Sequence, residues 1–497
     1  MSFLSSEFLL FLVAAFFCYF LAPRRFRWGV LLVSSFVFYW LAGGAFALCA
    51  LSFTILSVYI CGLWTGALRV KNAKTTLRRI PLALCLILNF ALLAFFKYTN
   101  LFFPSMEVLL IPGISFYTFQ AAAYLIDVYT GKVIAERSIF KAALFLSFFP
   151  QLVQGPISRH GDLANDLFAG HGWDWERARS GIQRITWGYF MKVVIANNTA
   201  PIVTSVYSNH GSYGGAVIVF GVLMYCFQVY TDFAGGINIT LGIANIIGIK
   251  LPENFRQPFF ANSLADYWRR WHITLGSWLR DYLFYPLILS SPMQSFGKFL
   301  RKTVGGSVGK LLPSCVATFC IYLIVGIWHD LSFNYIVFGF LNGFIISCSL
   351  FAERYMGGLR ERTRIDGRKK GIGRVFAGLR TFAILGILRY FVRAASFRTA
   401  LSMIKQTLYF PRIYELWNGT LLTLGLDSTG YFVLLIGIAV LLLHDYLTEI
   451  GKDVGEILNN SNPLFQLIVL VVAIASLMVF GLFTGDVHSA SFIYGGF

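Results

Sequence analysis

Apolar stretches recur from one end of this chain to the other, and few are broken by charge. They fall near 8–21, 28–41, 46–65, 81–96, 114–128, 139–154, 181–197, 214–230, 237–249, 311–328, 332–352, 376–392, 430–447 and 464–484. Only 13% of the 497 residues are charged, against roughly 25% in soluble domains. A water-soluble globule of this size could not hide so much apolar side chain, so the solvent is mostly lipid. A crossing helix needs about 20 residues, and several runs are shorter. The pattern therefore predicts about 11 crossings plus re-entrant helices. The longest polar stretches, near 156–180 and 354–375, are too small to form a soluble domain.

Charge placement orients these spans. Arg24, Arg25 and Arg27 follow the first run and no basic residue precedes it, the reverse of a cleaved signal peptide. The first helix is thus expected to be retained, with its N-terminus outside. Arg69, Lys71, Lys74, Arg78 and Arg79 form a second basic loop, and Lys132, Arg137 and Lys141 a third. Two crossings separate each cluster from the one before, so all three fall on the cytoplasmic side. The densest cluster, Arg354, Arg360, Arg362, Arg364, Arg368, Lys369, Lys370 and Arg374, is expected there too. Topology explains it; contact with anionic lipid or an acidic donor protein is the alternative. The formal charge of +18 follows from these loops. With no basic, aromatic-interleaved soluble module, it does not indicate nucleic acid. All eight cysteines lie within apolar stretches and none forms a metal-ligand spacing, so they read as small buried hydrophobes and no metal site is predicted.

The middle of the chain departs from this plan. Residues 252–286 read PENFRQPFFANSLADYWRRWHITLGSWLRDYLFYP. Arg256, Asp266, Arg269, Arg270, His272, Arg280 and Asp281 crowd there among aromatics, and exposing such groups to lipid costs about 2.5–3.5 kcal/mol each. The stretch must lie at an interface or line a wet cavity. Leu275, Trp278, Leu279, Tyr282 and Leu283 recur with helical period, and Asn262 or Ser263 is available as an N-cap. An interfacial anchor helix satisfies that spacing as well as a functional one does. Of seven histidines, His171 and His210 fall in polar loops, whereas His329 closes IYLIVGIWHD just before another apolar run. Such a histidine is either a satisfied structural residue or a neutral general base. No HExxH, GxSxG, P-loop or dinucleotide fingerprint is present.

Beyond these two histidine segments the chain carries GISFYTFQAAAYLIDVYTGK at 113–132, FFPQLVQGPISR at 148–159, CFQVYTDFAGGINITLGI at 226–243, PENFRQPF, DYWRRWHITLGSWLRDYLFYPL, GIWH at 326–329, RYFVRAASFRTAL near 389–401 and a terminal SFIYGGF. This ordered set resembles the membrane-bound O-acyltransferase superfamily. Within it, the set is similar to the bacterial branch that O-acetylates alginate or D-alanylates lipoteichoic acid. The resemblance implies an all-α polytopic fold, a ring of helices around a central tunnel. It would form one domain over 1–497, with N-terminal helices in 1–110, a core in 113–400 and C-terminal helices in 401–497.

The implied activity moves an acyl group, preferably acetyl, from a cytoplasmic thioester to an external hydroxyl of a cell-wall or exported polysaccharide. His329 would remove the hydroxyl proton and His272 would position the acceptor. Arg269, Arg270, Trp271, Arg280, Asp281, Gln154, Asn254 and Trp328 are the implied substrate-contacting residues. Positive charge at Arg269, Arg270, Arg280 and the 354–374 loop would attract a phosphorylated donor. No bound cofactor is implied. The acyl donor would be acetyl-CoA or an acyl carrier protein, and the other partners membrane lipid and an exported SGNH-type protein, at a bacterial cytoplasmic membrane. Two departures stand out. Asp330 replaces the small residue common after GIWH, and LILSSPMQSFGKFLRK stands where alginate acetylators often carry a GGNR-like segment. D-alanyl transfer, a transporter using the same cavity, and a scaffold for a glycan-modifying complex remain as alternatives.

Overall fold

A computed structural model describes residues 1–106, 108–363 and 372–482, excepting the side chains of 307 and 354–363. The basic cluster from Arg354 to Lys370 and the terminal SFIYGGF lie outside the described side chains. The described chain is an all-α polytopic membrane protein. Among the described residues, eight helices are long and apolar enough to cross a bilayer: Arg24–Val70, Thr75–Phe102, Gly215–Ile247, Val308–His329, Phe333–Glu353, Ile372–Arg393, Ser428–Glu449 and Pro463–Phe480. The first of these is broken at Gly44, whose backbone is non-helical, so the runs at 28–41 and 46–65 lie on either side of a kink. Ser6–Leu21 is a shorter apolar helix. It buries Phe8, Leu12, Ala15 and Tyr19 and exposes Leu10, Val13, Phe17 and Leu21, the one-sided pattern of a helix between protein and lipid.

Other apolar runs make shorter pieces. Ile139–Ser147 has nine residues and Phe149–Leu152 four. At 1.5 Å per residue neither reaches across a hydrocarbon core about 30 Å thick, so the 139–154 run is not a single crossing helix. The runs at 214–230 and 237–249 instead join as one 33-residue helix, Gly215–Ile247. Gly235 lies where they meet and does not break it. It faces Gly188, and a β-carbon on either glycine would lie 2.8 or 2.6 Å from the other's carbonyl oxygen. Glycine here permits a close helix crossing.

The chain groups into two compact units. One comprises Met1–Val193, Thr231–Glu253 and Leu458–Phe497; the other comprises Val194–Tyr230 and Asn254–Ile457. In the first, the Lys192 and Asp232 side chains pair, both 2% exposed. Lys192 belongs to a π-helical turn, Phe190–Ala196. The second unit contains both histidine segments.

Within 252–286 the expected amphipathic helix is interrupted. Ser263, rather than Asn262, caps Leu264–Arg270 through its hydroxyl, which accepts from Asp266 N at 3.1 Å. The helix stops at Trp271 and His272, restarts as Ile273–Leu279 and passes into a π-helical turn, Arg280–Phe284. Of the expected apolar stripe, Leu275, Trp278 and Tyr282 are buried.

Candidate active site around His272 and His329

The interruption at Trp271–His272 arises from pairing with an extended segment. Arg256 N donates to Arg270 O at 2.9 Å, and Ile273 N donates to Asn254 O at 2.9 Å. Phe255 and Trp271 thereby form an isolated antiparallel bridge. His272 takes a left-handed backbone, φ 47° and ψ 53°, which is uncommon outside glycine. The flanking bonds on both sides hold it there.

Asn254 completes the fixing of His272. It is fully buried. Its Oδ1 accepts from Thr274 N at 3.1 Å and Thr274 Oγ1 at 2.9 Å, and lies 3.2 Å from His272 Nδ1. A backbone N–H can only donate, so the Asn254 atom facing it is the oxygen. That oxygen can only accept, so Nδ1 of His272 carries the proton toward it. Burial pushes the His272 imidazole down to about 3 from its usual 6.5. The ring is therefore neutral at physiological pH, with its lone pair on Nε2.

An aromatic wall backs this turn. Trp271, 2% exposed, stacks on Tyr267 at 5.5 Å and 18° and meets Phe255 edge-on at 4.9 Å. The buried Arg389 guanidinium lies 5.6 Å over Trp271 and 5.8 Å over Tyr225. It also donates to Tyr267 Oη at 3.2 Å. Each such cation–π contact contributes about 2 kcal/mol or more when desolvated.

His329 is the last residue of the Gly306–His329 helix and is 8% exposed. Its ring packs 4.5 Å from Trp328 and, nearly parallel, 5.8 Å from Tyr335. Gly326 and Gly339 let the two flanking helices close here: a β-carbon at 326 would lie 2.3 Å from Tyr335 O, and one at 339 would lie 2.4 Å from Tyr322 O. The helix ends at His329, and Asp330 is extended at φ −163°. Trp268 connects the two histidine segments: its Nε1 donates to Asn342 Oδ1 at 2.9 Å, and its ring lies 5.6 Å from Tyr322.

The remaining expected residues divide. Arg270 bonds Asp266 at 3.2 Å and Glu449 at 2.6 Å, and Glu449 also accepts from Arg374 at 2.5 Å, so its guanidinium is occupied within the fold. The Arg269 side chain is 71% exposed and reaches Asp266 only at 3.5 Å. Arg280 pairs with its neighbour Asp281 at 3.0 Å. Gln154 belongs to the other unit. It is fully buried, and neither amide atom has a hydrogen-bond partner among the described residues. Among the described residues no three His, Cys, Asp or Glu side chains stand together as a metal site.

Sequence reasoning missed Thr274, Arg389 and the Lys192–Asp232 pair as buried polar groups that fix structure. For the last three a signal existed, since each is an ionisable residue within an apolar run, expensive unless partnered. Thr274 carried no such signal.

Residues 133–391, more than half of the chain, match the family described as MBOAT, membrane-bound O-acyltransferase family. The chain is 32% identical over 340 residues to the probable alginate O-acetylase AlgI of Pseudomonas syringae pv. tomato, covering 65% of this chain and 61% of that protein. It is 30% identical to the peptidoglycan O-acetyltransferase of Helicobacter pylori, covering 68% and 67%. It is 28% identical to the teichoic acid D-alanyltransferase of Bacillus subtilis, covering 51% and 62%. The chain thus spans about three fifths of the length of the alginate relatives it matches.

Proposed function

Because this chain belongs to the membrane-bound O-acyltransferase family, we propose that it transfers an acyl group, acetyl in the first place, from a thioester on the cytoplasmic side to a hydroxyl of a cell-wall or exported polysaccharide outside. The observation that carries this reading is the neutral, oriented imidazole of His272 in the same compact unit as His329. Acyl transfer from a thioester needs a deprotonated hydroxyl and a polarised carbonyl. In this reading His329 takes the proton of the attacking hydroxyl, and His272 Nε2 receives a hydrogen bond from a neighbouring hydroxyl of the acceptor and aligns it. The hydroxyl oxygen bonds the acyl carbon, the C–S bond breaks, and the proton passes from His329 to the departing thiolate.

The acetyl preference is supported by greater identity to the two O-acetylating relatives than to the D-alanyltransferase. D-alanyl transfer is the second reading, favoured by the same family span. The acyl donor is acetyl-CoA or a charged carrier protein, the outer partner an exported SGNH-type protein, and the location the bacterial cytoplasmic membrane. The test is thioester consumption by the purified protein. Turnover of acetyl thioester is expected, with His329→Ala lowering it by about 10²–10⁴-fold, the range credited to general-base catalysis. Near-normal turnover by a folded His329→Ala protein would remove the mechanism, and exclusive use of a D-alanyl thioester would replace the acetyl reading.

A further inference from the structure

We infer that Asn254 is a catalytic residue of this acyl transfer, its side-chain Nδ2 donating to the acyl carbonyl oxygen as negative charge develops there. The inference rests on the acyltransferase reading above. Two observations lead to it. The Asn254 amide cannot be turned over, because Thr274 N fixes Oδ1 at 3.1 Å, with Thr274 Oγ1 at 2.9 Å and His272 Nδ1 at 3.2 Å also directed to that oxygen. Nδ2 therefore has a determined direction. Asn254 is also fully buried, and Nδ2 has no hydrogen-bond partner among the described residues. A buried amide donor left unpaired is costly, and such groups in native proteins call for an explanation. Here the rigid donor shares its side chain with the acceptor that holds the His272 imidazole.

A preorganised donor of this kind matches what a tetrahedral intermediate requires. When the acceptor oxygen bonds the acyl carbon, the carbonyl π pair moves onto oxygen, and that oxyanion is what Nδ2 would hold. On collapse the π bond re-forms and the C–S bond breaks, so Asn254 neither gains nor loses a proton. One side chain would thus serve both partners, with Oδ1 setting the tautomer of His272 and Nδ2 stabilising the transferring group.

Asn254→Asp removes the Nδ2 donor while preserving size and an acceptor oxygen toward Thr274 and His272. With melting temperature matched to wild type, kcat is expected to fall about 10²–10³-fold, the loss typical of removing one oxyanion donor, while the donor KM stays within threefold. A folding role alone would not produce that split. A spectroscopic arm reads the same bond. A ¹³C-labelled ketone analogue of acetyl-CoA, with methylene replacing the thioester sulfur, is expected to show a lowered C=O stretch on wild type and an unlowered one on Asn254→Asp. Wild-type turnover together with near-normal kcat in Asn254→Asp would overturn this inference alone. Equal carbonyl frequencies on the two proteins would do the same. Absence of acyl transfer by wild type would instead remove the reading beneath it.

Discussion

Lys192 and Asp232 form an ion pair in which each side chain is 2% exposed, one on a π-helical turn and the other on an apolar helix. Removing one partner of a buried pair strands the other charge and costs about 3–5 kcal/mol, whereas replacing both by apolar residues is often neutral. Lys192→Met is therefore expected to lower the thermal midpoint sharply, and Lys192→Met with Asp232→Leu to recover most of the loss. Thermal melts in detergent check this. A double variant no more stable than the single one would show that charge pairing is not what this position requires.

His272 gives stability a defined pH dependence. Its folded-state pKa, about 3, lies below the ordinary 6.5, so between these values the unfolded chain binds the extra proton. Stability is then complete above pH 6.5 and falls as the pH drops toward 3. By pH 5 the contribution lost is about 2 kcal/mol. His160 shifts in the same direction through burial, so the comparison must isolate one residue. The drop in melting temperature from pH 7.5 to 5 is expected to be smaller in His272→Gln than in wild type. An identical drop in both would place the acid sensitivity elsewhere.

Arg269 and Arg270 are adjacent but differently committed. Arg270 is tied to Asp266 and Glu449 and is 15% exposed, whereas Arg269 is 71% exposed. Arg270→Met is expected to lower the melting temperature. Arg269→Gln should leave it unchanged and raise the apparent KM for a phosphorylated thioester donor, with the difference fading as salt rises. A donor KM indifferent to Arg269→Gln at low ionic strength would leave that guanidinium without a donor role.

The basic loops predict an orientation. Single cysteines at Ser5 and Arg362, in a cysteine-free background, are expected to separate under an impermeant thiol reagent. Position 5 should label from outside intact cells and position 362 only after permeabilisation. Labelling of position 362 in intact cells would reverse the topology.

Sequence alone determined the solvent, the class of fold and the family. Long runs such as 81–96 and 430–447 became the Thr75–Phe102 and Ser428–Glu449 helices, because in lipid a backbone can satisfy itself only within a helix or a closed barrel. The importance of 252–286 was legible for the same reason: so many ionisable groups among aromatics are affordable only away from lipid. The Ser263 cap was legible too, since a cap is a local bond between a side chain and the N–H three residues on.

Tertiary structure decided what local pattern could not. A continuous helical period runs through 275–283, yet the helix entering this region breaks at Trp271–His272, because Asn254, Phe255 and Arg256 bind that turn from outside the helix. The tautomer of His272 depends on Thr274 fixing the Asn254 amide. The Trp271 ring is placed by Arg389, more than a hundred residues further along. Arg269 and Arg270 look alike in sequence, and only the approach of Glu449 separates them. In each case the deciding partner is distant in sequence, and hydrogen-bond direction and burial exist only once the chain has brought the partners together.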